Sequence, residues 1–425
     1  MPLNILIVGA GLGGLAAAIS VKLENPDHRV QVIESAPALA EVGAGLQVTP
    51  NATRLLGRWG LLRSLEKLAS SPKEFTIHRY SDGALIGKRD NFDKEMLAKY
   101  KSPFWDMHRA DLQLGMYERA KELGAEFRFA ALVTSTDLKT PSITLSNGDR
   151  IDGDLILAAD GAPSPPIPTG DLAYRVILRV EEIKDEELRH YFETPRVVLW
   201  AGPGCHAICY PLKGNSLINI VLLAPDNLPE GVARAAGDLD EMLDVFRDWD
   251  PRLRSLLSMV PKVDKWKLMH LDELQHWSNA EGTIAFLGDA CHPMLPYLAQ
   301  GAGSSLEDGA ALGVLLSTAK GRQDLPEILK LYEQLRKPRS SALQQRSMIQ
   351  RDINHLPNGF EQQIRDDLLK RQLDEPLPGY PFYWLDPTQQ SIVYGYDVYE
   401  ELGKWGIGAD CHGHNAGSAG KHSKV

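Results

Sequence analysis

The sequence predicts an α/β protein of more than one domain, and three observations carry that reading. An apolar strand, Asn4–Val8, enters Gly9-Ala10-Gly11-Leu12-Gly13-Gly14 and is followed by a helical stretch over 15–23 and a second strand, Arg29–Ile33, a βαβ unit within about 30 residues. Two further strongly apolar segments, 155–159 and 283–287, run into Asp160-Gly161 and Gly288-Asp289, as buried strands of a parallel sheet do. Between them, residues 165–277 break into separated β-runs. Together these read as a Rossmann-like (GxGxxG) domain with an inserted sheet-rich domain and a C-terminal helical segment. The expected division is 1–72, 101–165 and 278–345 for the discontinuous first domain, 73–100 and 166–277 for the second, 346–405 for the helical segment, and 406–425 as a disordered tail rich in Gly, His, Ser and Lys.

The elements follow in order. After the βαβ unit comes a glycine-rich loop at 41–47, then a helix around 51–68 whose Leu55, Leu56, Trp59 and Leu62 fall at helical spacing. Residues 75–79 and 84–88 form a hairpin about Asp82-Gly83, where the chain leaves the first domain briefly. A helix at 111–123 stops at Gly124, and a meander is expected over 128–132, Ser142–Leu145 and Arg150–Asp152, turning at Asn147-Gly148. In the second domain, strands are expected at 174–180, 197–200, 207–210 and 217–223 with a helix near 239–249. A helix over 305–316 returns the chain to the first domain, and the sequence is polar and helical from about Lys337.

Composition narrows the class. With 425 residues, at roughly 150 per domain, two or three folding units are expected. The net charge of −10 favours no nucleic-acid partner, and no run nears the roughly 20 apolar residues of a membrane helix, so a cytoplasmic protein acting on a small molecule, as monomer or homodimer, is expected. Four cysteines without a CxxC pair fit a reducing compartment. Cys205, His206 and Cys209 alternate faces on a strand, and no metal site is expected.

The fingerprint implies an anion site. Gly9 makes the tight turn, Gly11 lets the backbone approach a pyrophosphate, Gly14 allows close helix–strand packing, and Glu34, 20 residues on, is placed to accept ribose hydroxyls. Gly301-Ala302-Gly303 opens a second helix, whose unpaired N–H groups and dipole favour negative charge.

With the Asp160-Gly161 motif and Gly288-Asp289-Ala290-Cys291-His292-Pro293, this fingerprint resembles the single-component FAD-dependent aromatic monooxygenases of the salicylate hydroxylase-like type, with the para-hydroxybenzoate hydroxylase fold. The resemblance spans nearly the whole chain, through 41–47, 108–112, 170–175 and above all 288–309. It implies FAD as cofactor, NADPH or NADH and O2 as co-substrates, and hydroxylation of an electron-rich aromatic (a phenol, salicylate-like acid, polyketide or indole) through a flavin C4a-hydroperoxide. It further implies that Glu34 holds the ribose, Arg109 the FAD phosphate or ribityl region, and Asp289 the ribityl or pyrophosphate. Gly45, Gln47, Gly301, Ala302 and Gly303 would line the isoalloxazine, the prolines of His292-Pro293 and Pro296, which flank this loop, would shape its face, and Asp160 would serve NAD(P)H and FAD together. Arg175 would point into the active site to hold a phenolate or carboxylate or to polarise the peroxide, and Tyr210 would orient or help deprotonate a substrate phenol.

The chain departs from the family after Ser164, where Pro165-Pro166-Ile167-Pro168 follows at once in place of an Arg and a dozen or so residues. That loop is either short here or lacks a mobile segment. The rival readings are a flavin-dependent oxidoreductase or halogenase of the same fold and a non-catalytic flavin-binding protein. A disulfide reductase would need CxxC and a second GxGxxG, of which Gly202-Pro203-Gly204 is only an echo, and a plain NAD dehydrogenase leaves 288–309 unexplained.

Overall fold

The computed structural model describes residues 1–39, 45–161, 166–272, 274–373 and 377–407. The expectations for 41–44, for the loop at 162–165 and for the tail beyond Ile407 lie outside the described residues.

Asn4–Val8 is the middle strand of a five-stranded parallel sheet in the order Ile284–Phe286, Leu155–Ala158, Asn4–Val8, Arg29–Ile33, Glu126–Arg128. Ile5–Val8, Leu155–Ala158 and Ile284–Phe286 read as unbroken apolar runs because both faces are covered there. One face takes the helices Leu12–Glu24 and Gly301–Ser317, which pack with their backbones nearly touching. A Cβ at Gly309 would stand 2.5 Å from the Ala16 carbonyl carbon, and one at Gly313 would stand 2.1 Å from Ser20 Oγ. The other face is covered by a three-stranded antiparallel sheet, Val133–Asp137, Ser142–Leu145 and Arg150–Asp152, whose Ile143 and Leu145 pack on Leu6 and Ile156.

The meander therefore differs from its expectation. The apolar run at 128–132 is not its first strand: Glu126–Arg128 extends the parallel sheet, and the meander begins at Val133. Short edge strands carry too little periodicity to be told apart. The helix expected over 51–68 is two, Pro50–Arg58 and Leu62–Leu65, broken where Gly60 takes φ +78°. The helix expected over 239–249 ends early, at Leu239–Val245, and a separate helix, Pro251–Leu257, capped by Asp250, follows beyond the expected bounds.

The second sheet has eight strands in the order Arg234–Ala236, Asp264–His270, Ile167–Arg179, Leu217–Pro225, Cys205–Leu212, Arg196–Gly202, Glu74–Arg79, Leu85–Asp90. The hairpin over 74–90 joins it through a parallel pairing with Arg196–Gly202. One face packs on the helices Leu239–Val245 and Pro251–Leu257, and the other faces the parallel-sheet side of the molecule and its C-terminal helices. The long helix Leu325–Asn354 runs 30 residues with Pro338 inside it, starting a dozen residues before the expected onset and crossing position 345 unbroken. The helices Phe360–Arg371, Pro387–Tyr394 and Val398–Lys404 follow. Among the described residues no helix is long and apolar enough to cross a membrane.

Candidate active site

A cleft of about 720 Å³ lies at the carboxyl ends of the parallel strands and runs to the eight-stranded sheet. That volume is in the range of small-molecule and cofactor sites. Gly9, Gly11, Glu34, Gly45, Gln47, Arg109, Asp160, Arg175, Tyr210, Asp289, Gly301 and Ala302, twelve of the fourteen residues expected at the site, line it.

At one end the glycines divide their work. Gly9 sits at φ +102°, where a Cβ would meet the Ala159 carbonyl oxygen at 2.6 Å. Gly14 does not line the cleft; a Cβ there would stand 2.1 Å from the Gly9 carbonyl oxygen, so its part is helix–strand packing. A Cβ at Gly11 would find its nearest atom at 4.0 Å, which leaves open space for a ligand to approach the backbone. The helix Leu12–Glu24 begins there with no side-chain cap and no acidic residue in its first turn. Glu34 accepts backbone N–H groups from Ala10 and Ala36, each at 2.8 Å, which aims its carboxylate along the cleft wall. Asp160 stands close by, its carboxyl raised above the ordinary value by loss of solvent and by the charge of Glu34.

A second helix, Gly301–Ser317, points its N-terminus at the same cleft, again with no side-chain cap and no acid in the first turn. It opens at Gly301, so the small residues form its first turn. Gly303 departs from its expected place: its missing side chain would face Asn51 Nδ2 at 3.2 Å and Gln300 Oε1 at 3.5 Å, inside the protein. Behind this turn lies a buried ionic network. Asp308 accepts from His292 Nε2 at 2.5 Å, Gly288 N–H at 3.0 Å and Arg336 Nε at 2.9 Å, while Glu307 pairs with Arg336 and Arg339 at 2.8 Å. His292 is thus a brace beneath the loop and not part of the cleft wall, and of the two prolines only Pro296 reaches that wall. Cys291, His292 and Asp308 lie within 4.8 Å of one another, but both oxygens of Asp308 are taken by these donors.

Two open helix N-termini, a backbone gap at Gly11 and a fixed carboxylate at Glu34 suit a ligand with a pyrophosphate, a ribose and an electron-poor ring, which is the chemistry of FAD.

The far end of the cleft is built on the eight-stranded sheet. Arg175 projects from Ile167–Arg179 with its guanidinium 5.3 Å from the Trp266 ring centroid, and its Nε is buried without a partner. Burial draws its pKa down, opposed by Tyr210 and reinforced by Arg109, yet it stays a cation. Tyr210 donates its hydroxyl hydrogen to the Gly45 carbonyl at 2.8 Å, and burial pushes its phenol up. A protonated phenol committed to a backbone carbonyl is not placed to take a proton, so Tyr210 sits here as an orienting group. Gln47 donates to Asp106, a fully buried carboxyl, at 2.9 Å.

One residue was not expected here. His206 shares the face of Cys205–Leu212 with Ile208 and Tyr210 and lines the cleft, whereas Cys205, Ala207 and Cys209 face the opposite core. The signal was present in the strand alternation that argued against a metal site, since that alternation puts His206 on Tyr210's face. Burial, with the neighbouring His355, pushes its imidazole far below the usual value, so it is neutral.

Residues 3–178 and 254–347 match the FAD binding domain family, and the chain belongs to it. It is 44% identical over 413 residues to FAD-dependent monooxygenase OpS4 of Beauveria bassiana (strain ARSEF 2860), covering 93% of this chain and 96% of that one. It is 28% identical to a 3-hydroxybenzoate 6-hydroxylase of Polaromonas naphthalenivorans (strain CJ2), covering 96% and 97%. A solved salicylate hydroxylase substrate complex superposes with a TM-score of 0.76 at 22% identity, covering 94% of this chain and 97% of that one. The protein is an FAD-dependent monooxygenase, of a class that draws electrons from NAD(P)H and oxygen from O2.

Proposed function

We propose that this monooxygenase hydroxylates an electron-rich phenolic ring, with residues 1–72, 101–165 and 278–345 carrying FAD and 73–100 and 166–277 closing on the substrate. The observation that carries the reading is the pairing, at one end of the cleft, of a cation with an unsatisfied buried Nε, Arg175, and a neutral imidazole, His206. When bound, FAD supplies electron transfer from NADH or NADPH and activation of O2.

The chain's own groups do the rest. Glu34 accepts the ribose hydroxyls, and the N-terminus of Leu12–Glu24 receives the pyrophosphate. Arg109 and Asp289 hold the stretch between, Asp160 stands beside Glu34, and Gly45, Gln47, Gly301 and Ala302 border the ring system. Arg175 holds a phenolate or carboxylate of the substrate, and His206 accepts the phenol proton, which makes the ring carbon more nucleophilic. Tyr210 keeps the Gly45 strand at the right height. The three described cysteines are free and buried, which suits a reducing, cytoplasmic setting, as monomer or homodimer.

The test is anaerobic mixing of the FAD-loaded enzyme with NADH or NADPH, with and without a panel of phenols, hydroxybenzoates and indoles. A ring compound that fits the cleft should accelerate flavin bleaching. Reduction that no compound in the panel alters would favour a reductase or simple flavin carrier.

A further inference from the structure

His206 does not end at the cleft. Its Nδ1 lies 2.8 Å from Nε2 of His355, the residue that closes the long helix Leu325–Asn354. The outer nitrogens, Nε2 of His206 and Nδ1 of His355, have no hydrogen-bond partner among the described residues, and neither is among the sealed, unpartnered atoms of the interior. His206 lines the cleft and His355 is half-buried, so the hydrogen-bonded pair leads from the cleft wall to a partly exposed residue. We propose that His206 and His355 form a proton relay that carries the phenol proton out of the cleft to solvent, with His355 as the exit. This rests on the reading above in which His206 takes that proton.

The transfer balances without net charge on either ring. The phenol O–H bond breaks and its proton joins His206 Nε2. His206 Nδ1–H passes its proton to His355 Nε2, and His355 Nδ1–H releases one to water. One proton leaves the substrate, one reaches solvent, and each ring ends neutral in its other tautomer. The surroundings favour neutral rings: burial and His355 act on His206, and burial pushes His355 down to about 4, with Asp171 raising and Arg351 lowering it. The groups packed about the pair are otherwise committed. Tyr297 stands with its ring 5.3 Å from His206 and 5.7 Å from His355, and donates to Asp171 at 2.6 Å. Arg351, one turn before His355, pairs with both oxygens of Asp171, at 2.5 and 2.9 Å. The Asp171–Arg351 pair is closed on itself, so His355 faces a locally balanced site and not a lone carboxylate that would trap the proton. His355 carries the proton onward from His206, and the tautomer of His206 and the rate of proton release report that transfer where packing alone would not move them.

The first arm needs no substrate. NMR of nitrogen-labelled histidines in the FAD-loaded enzyme at neutral pH should show His206 neutral with its hydrogen on Nδ1, and His355→Phe should redistribute that hydrogen. A His206 that titrates near the ordinary histidine value, or that carries its hydrogen on Nε2, overturns the relay. The second arm uses 3-hydroxybenzoate, or whichever phenol accelerates flavin reduction, mixed with oxidised enzyme in weak buffer while proton release is followed with an indicator dye. His355→Gln keeps an acceptor for His206 Nδ1 but cannot pass a proton on; it should slow release by roughly 100-fold while leaving ligand affinity unchanged, and added imidazole should restore the rate. Release at the wild-type rate in His355→Gln overturns the relay. The underlying reading fails separately: if His206→Gln leaves release unchanged, His206 is not the proton acceptor, whereas loss in His206→Gln with none in His355→Gln removes His355 alone.

Discussion

The Tyr210 hydroxyl and the Gly45 carbonyl meet at 2.8 Å, joining the eight-stranded sheet to the small ribbon made by Gly45–Val48 and Trp105–His108. The contact is tight on both sides, since a Cβ at Gly45 would stand 2.7 Å from Tyr210 Cε2, and the Gly45 N–H is held by Asn219 at 3.1 Å. Tyr210→Phe keeps the ring and removes one buried hydrogen bond, worth about 1 kcal/mol. The variant should keep FAD and lose activity several-fold without abolishing it, checked by turnover against bound-flavin content. Complete loss of turnover with FAD retained would restore a direct role in proton transfer.

Arg175 carries a sharper expectation. Arg175→Ala should purify yellow, with FAD bound, and lose roughly 10- to 100-fold in kcat/KM, the worth of one charge-assisted contact of about 1.5–3 kcal/mol. Arg175→Lys should recover little, because a point charge does not reproduce a guanidinium fork. Steady-state kinetics on FAD-saturated protein decide it, and full activity in the alanine variant would remove Arg175 from substrate binding.

Glu34 should act on cofactor alone. Glu34→Ala frees two backbone N–H groups and deletes the proposed ribose contact, so FAD affinity should fall by roughly 5- to 150-fold at about 1–3 kcal/mol. Fluorescence titration of apoprotein with FAD measures it, with the rate of the saturated enzyme little changed.

The buried carboxylate Asp308 ties stability to acid. Burial raises its pKa, but His292, Arg336 and the Gly288 N–H outweigh that and hold it at about 2, against 3.8 as the reference. A depressed folded value stabilises the fold above the unfolded value, so the contribution is complete above about pH 4 and is lost as pH falls towards 2. Asp308→Asn should flatten the pH dependence of denaturant stability in that window. It should also cost about 3–5 kcal/mol at neutral pH, because Arg336, fully buried, loses a partner. An unchanged acid limb in the variant would contradict the assignment.

Much of this architecture was legible because the parallel strands and the glycine turn are local and strongly patterned: Asn4–Val8 and Arg29–Ile33 fall at their expected bounds, and Gly9, Gly11 and Glu34 stand at the cleft. What was not legible depends on long-range pairing. Glu126–Arg128 is a strand only because Arg29–Ile33 lies beside it, and the helix over 51–68 divides at a glycine whose left-handed backbone no apolar spacing reveals. The misplaced site residues share a cause. Gly303 and Pro293 sit in a motif read as a unit, but successive residues of a helix turn or a tight loop point in different directions, so some members line the cleft and others do not. His206 was passed over because its neighbours suggested a metal, and His355 lies 149 residues away in a segment with no motif.

The reaction proposed for this chain inserts one atom of O2 into a phenolic ring. Turnover under heavy-isotope O2 with NADH or NADPH and the ring compound that best accelerates flavin reduction, followed by mass spectrometry of the product, tests it most directly. One labelled oxygen is expected in a hydroxylated product, with reductant consumed in equal amount. Oxidation of the reductant with only hydrogen peroxide formed, across every ring compound that stimulates reduction, would contradict it.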